Sequence, residues 1–173
     1  NDDNMSLQVY RLMHELELME QANVYTEAAI VGIQTGAPGD ALNFMERGFS
    51  TKVLENKELA RNQRILADAK RRAEEQQKSL PALAQQAAAS PKGDADIKLA
   101  EAYLAYGDAD KALAAAQRGI KKGLDNPDAG YLALGRAYLA KDNGAEARKA
   151  FQQVKGQDAA AVARLWAIRA AQS

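Results

Sequence analysis

The chain has 173 residues, with 23 Lys and Arg against 23 Asp and Glu. This balance lacks the basic surplus of a general nucleic-acid-binding protein, so we expect no DNA or RNA partner. The chain contains no cysteine, which excludes disulfides, thiolate metal sites and cysteine nucleophiles but leaves the compartment open. Abundant alanine and only 6% aromatic residues favour closely packed helices over strands. No run approaches the roughly 18 to 20 apolar residues of a membrane span.

The first 50 residues predict three helices. Residues 5–20 carry apolar side chains at three- and four-residue spacings, and residues 22–35 form a second amphipathic stretch. Gly36 can take a left-handed cap and Pro38 cannot continue the preceding helix, so a turn follows. Asp40–Phe49 is then the antiparallel partner of the second helix.

The middle of the chain is less regular. Residues 57–78 are highly charged, with few apolar anchors, and predict a long exposed helix. Ser79 followed by Pro81 is typical of a new helix start, with the serine as N-cap and the proline in the first turn. This second, alanine-rich helix is predicted to run to Ala89.

The C-terminal half predicts five helices. Asp94 is expected to cap a helix that carries Ile97–Tyr106, and Asp108 to open its partner, which runs to Ile120. Asn126 and Pro127 repeat the combination of cap and proline, which gives helices at 127–141 and 144–155. The last segment, 158–171, is predicted to close the open end of the stack.

The chain also repeats itself at a spacing of 35 residues. Residues 99–117 match 134–152 at eight positions, and a shift of 71 superposes parts of 29–48 on 100–119. A period of this length is typical of an α-helical solenoid, in which helix pairs bury their apolar faces only by stacking. The predicted fold is all-α, an α-α superhelix built from antiparallel helix pairs.

Two segments of the repeat resemble the tetratricopeptide repeat. They are Leu99-Ala100-x-x-Tyr103 with Gly107, Ala112 and Ala116, and Leu134-Gly135-x-x-Tyr138 with Ala147 and Phe151. The match is clear over 94–155, moderate over 22–49 and poor over 52–90. The family's tryptophan and proline are missing, and Gly119 replaces the usual alanine. The resemblance implies one right-handed solenoid over 1–173, made of segments 5–49, 52–90, 94–155 and 158–171.

The resemblance also implies a function. Tetratricopeptide proteins hold an extended peptide or a partner helix in a concave groove lined by the first helix of each pair. The family register selects nine groove positions: Asn23, Thr26, Ile30, Gln34, Ile97, Glu101, Leu104, Arg136 and Leu139. Because this groove has few charges, we expect apolar anchors instead of the lysine and arginine clamp that captures a peptide C-terminus. Leu104 and Leu139 fit the interhelix core equally well.

The residues predict no catalytic, metal or cofactor site. His14 is the only histidine and fits a boundary position on the first helix, and the nearby Glu15, Glu17 and Glu20 fit a solvated stripe. The expected function is therefore a noncatalytic scaffold that binds a protein or peptide. Two alternatives stay open: a self-assembling module that pairs through its ends, with Trp166 as anchor, and a regulatory piece whose activity lies upstream of Asn1.

The order of segments also resembles the C-terminal regions of tetratricopeptide proteins from Gram-negative bacteria, which are often exported. This resemblance implies a bacterial protein and favours the periplasm over the cytoplasm. The start at Asn1 instead of methionine leads us to expect a mature form or a piece of a longer protein.

Overall fold

The computed structural model describes residues 3–172, and these form nine α-helices and no strand. The predicted all-α class is confirmed. In chain order the helices are α1 (Asp3–Glu15), α2 (Ala22–Gln34), α3 (Pro38–Ser50), α4 (Leu59–Ala89), α5 (Asp94–Ala105), α6 (Ala109–Lys122), α7 (Pro127–Leu139), α8 (Gly144–Phe151) and α9 (Gln157–Ala170).

The chain forms two compact units, 1–79 and 80–173, and α4 contributes residues to both. The sequence predicts one continuous solenoid over residues 1–173, and that continuity stays a prediction. Each unit has its own apolar cluster, described in turn below.

Unit 1 is built around the α2–α3 hairpin. Ala28, Ala29 and Ala41 are fully buried where the two helices meet, and Phe44 and Met45 extend the cluster along α3. Small residues allow the two backbones to approach closely. The predicted turn is confirmed, because the glycine at position 36 has a φ of +76°.

Helix α1 is attached to this hairpin by a buried ion pair. The Arg11 Nη2 atom lies 2.7 Å from Asp40 Oδ2, and Arg11 Nε donates a second hydrogen bond to Oδ1 at 3.1 Å. Both side chains are buried, and the two parallel contacts fix their orientation. Helix α3 begins at Pro38, two residues before the predicted start, so Asp40 lies in its first turn.

Unit 2 contains the clearest repeats. Helices α5 to α9 pack successively, each against the next, and α7 also contacts α5 and α9. This is the pattern of stacked hairpins: α5–α6 is one pair, α7–α8 the next, and α9 follows as another first helix. Ala100, Ala112, Ala116 and Ala133 are fully buried within it.

A close crossing explains why residue 119 is glycine. A Cβ atom built on Gly93 would lie 1.9 Å from the Gly119 carbonyl oxygen, and one built on Gly119 would lie 2.8 Å from the Ile97 side chain. The start of α5 therefore touches the α6 backbone directly. Glycine at position 119 is therefore a local packing requirement of this chain.

The predicted helix break at Ser79 is wrong. Helix α4 runs without interruption from Leu59 to Ala89, with Pro81 inside it. The Ser79 hydroxyl caps nothing and instead donates to the Gln76 carbonyl one turn earlier, at 2.8 Å. A buried stripe at helical spacing, which includes Asn62, Ala69 and Ala73, holds the helix while its charged face stays exposed.

Asp94 is not the predicted N-cap of α5, because the cap position is Gly93. The Asp94 carboxylate instead accepts a hydrogen bond from the Asp125 backbone N–H at 3.1 Å, in the loop before α7. Asp128 repeats this in the next pair, accepting from the N–H groups of Lys155 and Gly156 at 2.8 Å each. We term this contact, from a first-turn aspartate to the next loop, the aspartate latch.

The other two predicted caps are confirmed. The Asp108 side chain accepts from the Lys111 N–H, and the Asn126 side chain accepts from the Ala129 N–H with Pro127 at the start of α7. These contacts fix where α6 and α7 begin.

Candidate functional site

The candidate site lies on the first helices of unit 2. Glu101 and Leu104 on α5, and Arg136 and Leu139 on α7, have partly exposed side chains at equivalent positions of the two repeats. We define these four residues as the first-helix face. Because α5 and α7 are in contact, the face extends over two adjacent helices.

The polar half of the first-helix face is internally paired. Glu101 and Arg136 form an ion pair between α5 and α7, with side chains only 14% and 11% exposed. On α9, the ring of Trp166 lies under the Arg136 guanidinium, 5.7 Å from its central carbon to the ring centroid. Trp166 in turn stacks on Phe151 of α8, with ring centroids 6.1 Å apart. This chain of contacts fixes four helices around Arg136.

The apolar half consists of two leucines at the same register. Leu104 and Leu139 are both half-buried, and Leu104 also packs against the core cluster of unit 2. Each leucine is therefore partly covered and leaves part of its side chain in solvent. This position between core and surface agrees both with a role in the groove and with a role in the interhelix core, the two interpretations that the sequence permits.

Two of the nine predicted groove residues lie in the core. Ile97 is 6% exposed and packs near Gly119 and Gly130, and Thr26 is 6% exposed. The Thr26 hydroxyl donates to the Asn23 carbonyl at 3.1 Å, within its own helix. Neither side chain is therefore available on an open surface.

The remaining predicted residues belong to unit 1. Asn23 and Gln34 on α2 are exposed, and Ile30 between them is half-buried. They lie on a different compact unit from the first-helix face, and each set is therefore treated as a separate surface.

A different surface feature lies at the turns of unit 2. It is an open depression of about 610 Å³ between residues 106–110 and 140–142. Its carboxylates are engaged: Lys141 pairs with Asp110, and Lys111 Nζ lies 2.6 Å from Asp108 Oδ2. The Lys111 side chain and backbone N–H both stabilise the charged form of Asp108 and hold its pKa below the ordinary value. These pairs leave the depression without an unpaired acid or base at Asp108 and Asp110.

Two further searches cover the part of the chain that the structure describes. Within residues 3–172 no group of three or more His, Asp or Glu side chains is arranged to hold a metal ion. In the same range, no helix combines the length and apolar composition needed to cross a bilayer.

Sequence reasoning predicted the last helix but misplaced Trp166 within it. Trp166 was expected as an anchor at an exposed end, but it is 3% exposed and supports Arg136. The exposed apolar residues of this helix are instead Leu165, at 52%, and Ile168, at 60%. Ala161, Leu165 and Ile168 share one face by their spacing, and Ala159, Ala163, Trp166 and Ala170 share the other in the same way, so the sequence separates two apolar faces without showing which one is buried.

The geometry defines the class of the protein as an all-α helical-repeat protein with one internally paired, partly apolar face. Comparison of the chain with protein-family models, curated proteins and solved structures finds no match.

Proposed function

We propose that this chain is a noncatalytic scaffold whose first-helix face holds an extended peptide or a partner helix. The observation that carries the proposal is the pair Leu104 and Leu139, partly exposed at the same register on two adjacent helices. Apolar anchors at such a spacing are the usual means by which a groove binds an extended or helical segment.

The charges of the face favour an apolar partner. Arg136 is already bound to Glu101 and lies over Trp166, so its charge is satisfied within the chain. Capturing a peptide carboxylate with Arg136 requires breaking this pair and leaving Glu101 nearly buried without its cation, which is costly. The partner is therefore expected to contact the leucines and to form backbone hydrogen bonds around the ion pair.

The kinship with tetratricopeptide repeats over residues 94–155 is part of the same proposal. Its support is the hairpin pattern of α5–α8, with small residues at the crossings, as at Ala100 and Gly135. The wider expectation of a bacterial, exported protein remains a proposal on the same resemblance.

A peptide-display selection tests this function. The chain is panned against a random peptide library, and the enriched peptides are titrated by fluorescence anisotropy. We expect enriched peptides to carry two apolar residues. Leu104→Glu and Leu139→Glu should each weaken binding about tenfold or more, because a charge placed against an apolar anchor is poorly solvated.

Leu83→Glu is the matched control. Leu83 is 39% exposed on α4 in the same unit but lies outside the first-helix face, so its variant should bind as the wild type does. The proposal fails if no peptide is enriched, or if the Leu104 and Leu139 variants bind as tightly as the control.

A further inference from the structure

Helix α9 exposes an apolar stripe that its neighbours do not cover. Ala159, Val162, Ala163, Trp166 and Ala170 form its buried face, which packs on α7 and α8. Ala161, Leu165 and Ile168 form the opposite stripe. Among the large apolar side chains at described positions, Ile168 is the most exposed, and Leu165 comes third after Leu18. Leaving two neighbouring large apolar side chains more than half exposed to water costs free energy, which burial against another surface would recover.

The stripe lies on the side of α9 that faces away from α7 and α8. Within residues 3–172 it is left exposed. An antiparallel helix with a small residue opposite Leu165 would cover it.

A second copy of α9 has these properties. Asp158 in the first turn and Arg169 in the last turn are 11 residues apart, about three helical turns, and so lie on the same flank of the helix. A two-fold axis perpendicular to α9 places each flank beside the same flank of the copy, in the reverse direction. Asp158 then lies opposite Arg169 of the partner subunit, and the contact occurs twice.

The same register also pairs large side chains with small ones. When Asp158 and Arg169 of the partner subunit are level, the pairing is centred between Ala163 and Arg164. On the other flank the exposed Arg164 then lies near Arg164 of the partner subunit, and this like-charge contact weakens the association. Leu165 then lies beside Ala161 of the partner subunit, which supplies the space that a close helix contact needs. We infer that α9 is a homodimerisation element, and that each copy covers the exposed stripe of the other.

The first experiment measures association of the whole chain. One helix face buries less than a standard interface of roughly 1,600 Å², so the dimer should be concentration-dependent. Sedimentation equilibrium up to about 1 mM should show a monomer–dimer equilibrium. Leu165→Glu and Ile168→Glu should each raise the dissociation constant about tenfold or more, because each places a carboxylate in the apolar contact.

Leu83→Glu is again the matched control, because Leu83 is an exposed leucine on another helix. Its dissociation constant should equal that of the wild type. Since Leu165 and Ile168 are exposed, their variants should also keep the wild-type thermal midpoint at low concentrations, where the wild type is monomeric, and this separates lost association from lost folding.

The second experiment tests the antiparallel register by reversing charges. Asp158→Arg sets arginine against arginine across the contact, and Arg169→Asp sets aspartate against aspartate. Each variant alone should therefore be more monomeric than the wild type. Mixed in equal amounts, the two should form a heterodimer, because both contacts then join opposite charges.

Three results overturn the inference. The first is a wild-type chain that remains monomeric at the highest concentration, which would leave the stripe to a partner of another kind. The second is a dimer that tolerates both glutamate variants. The third is a mixture of the charge variants that associates no better than either alone.

Discussion

Buried charged side chains occur at positions where helices cross in both units. In unit 2, Asp96 is fully buried, and its Oδ1 atom accepts a hydrogen bond from Arg118 Nε at 2.7 Å. Its Oδ2 atom lies 2.8 Å from Lys122 Nζ, an ion pair without hydrogen-bond geometry. Lys122 also donates to the Ala87 carbonyl at 2.6 Å, at the C-terminal end of α4, where a cation is favourable. Such pairs add little net stability, but losing one partner leaves a buried charge.

His14 predicts a pH-dependent stability of unit 1. Its ring meets the edge of Phe44 at 5.3 Å between centroids, and its Nδ1 atom is buried without a hydrogen bond. Burial lowers the His14 pKa below 6.5; Asp40, Glu15 and Glu17 oppose this change, and Arg47 adds to it. The unfolded chain therefore binds the proton more readily than the folded chain.

The sign of the effect follows from this pKa. Stability should fall as the pH decreases below 6.5, and the loss should stop once the pH is below the folded-state pKa. Urea unfolding at a series of pH values measures it, with His14→Leu as the comparison. The difference in free energy of unfolding between wild type and variant should depend on pH in that window. A difference that stays constant would show that His14 does not cause the pH dependence.

Gly135 should not tolerate even a methyl group. A Cβ atom at this position would lie 2.3 Å from Phe151 Cε1, and the Phe151 ring is held in place by Trp166. Gly135→Ala should therefore destabilise unit 2 by about 1–3 kcal/mol, despite the better helix propensity of alanine. Chemical denaturation measures the loss.

A double-mutant cycle separates this clash from other causes. Phe151→Leu should cost clearly less in the Gly135→Ala background than in the wild type, because it removes the atoms that the new methyl group meets. If the two losses simply add, the clash is not the cause.

At the scale of the element, α4 differs most from its sequence prediction. Serine followed by proline two residues later is a common helix start, but here the helix continues through it, with half-buried side chains at Ser79, Leu80 and Ala84 between the buried Ala73 and Ala87. The local start signal does not break the helix, which is continuous over 31 residues. The charged face of α4 was predicted correctly, since most of it is exposed and Arg71 pairs with Asp68 and Glu75 within the helix.

Pro81 should therefore reduce the stability of α4. Proline inside a helix removes a hydrogen bond and costs roughly 3 kcal/mol, while its stiffness in the unfolded chain returns roughly 1 kcal/mol. Pro81→Ala should raise the free energy of unfolding by about 2 kcal/mol, measured by urea denaturation. Pro91→Ala is the control, because Pro91 lies outside the helices and its loss should give a small decrease. Equal effects of the two changes would contradict this account.

For the whole molecule, the sequence predicted the architecture better than the site. Repeats encode helix pairs through small residues at fixed spacing, so the hairpins around Tyr103 and Tyr138 were predicted within a few residues. Side-chain pairing between repeats has no such periodic signal. Glu101 and Arg136 were chosen as independent groove positions, and their ion pair depends on the distance between α5 and α7, which only the structure supplies.

The aspartate latch has a consequence for how such a chain can diverge. Asp94 and Asp128 bind backbone N–H groups, so they recognise the path of the next loop and not its side chains. The two loops accordingly share no motif: one carries Asp125 before Asn126, and the other carries Lys155 before Gly156. Substitutions can therefore accumulate in these loops without loosening the joint between repeats, provided that each loop keeps its N–H donor.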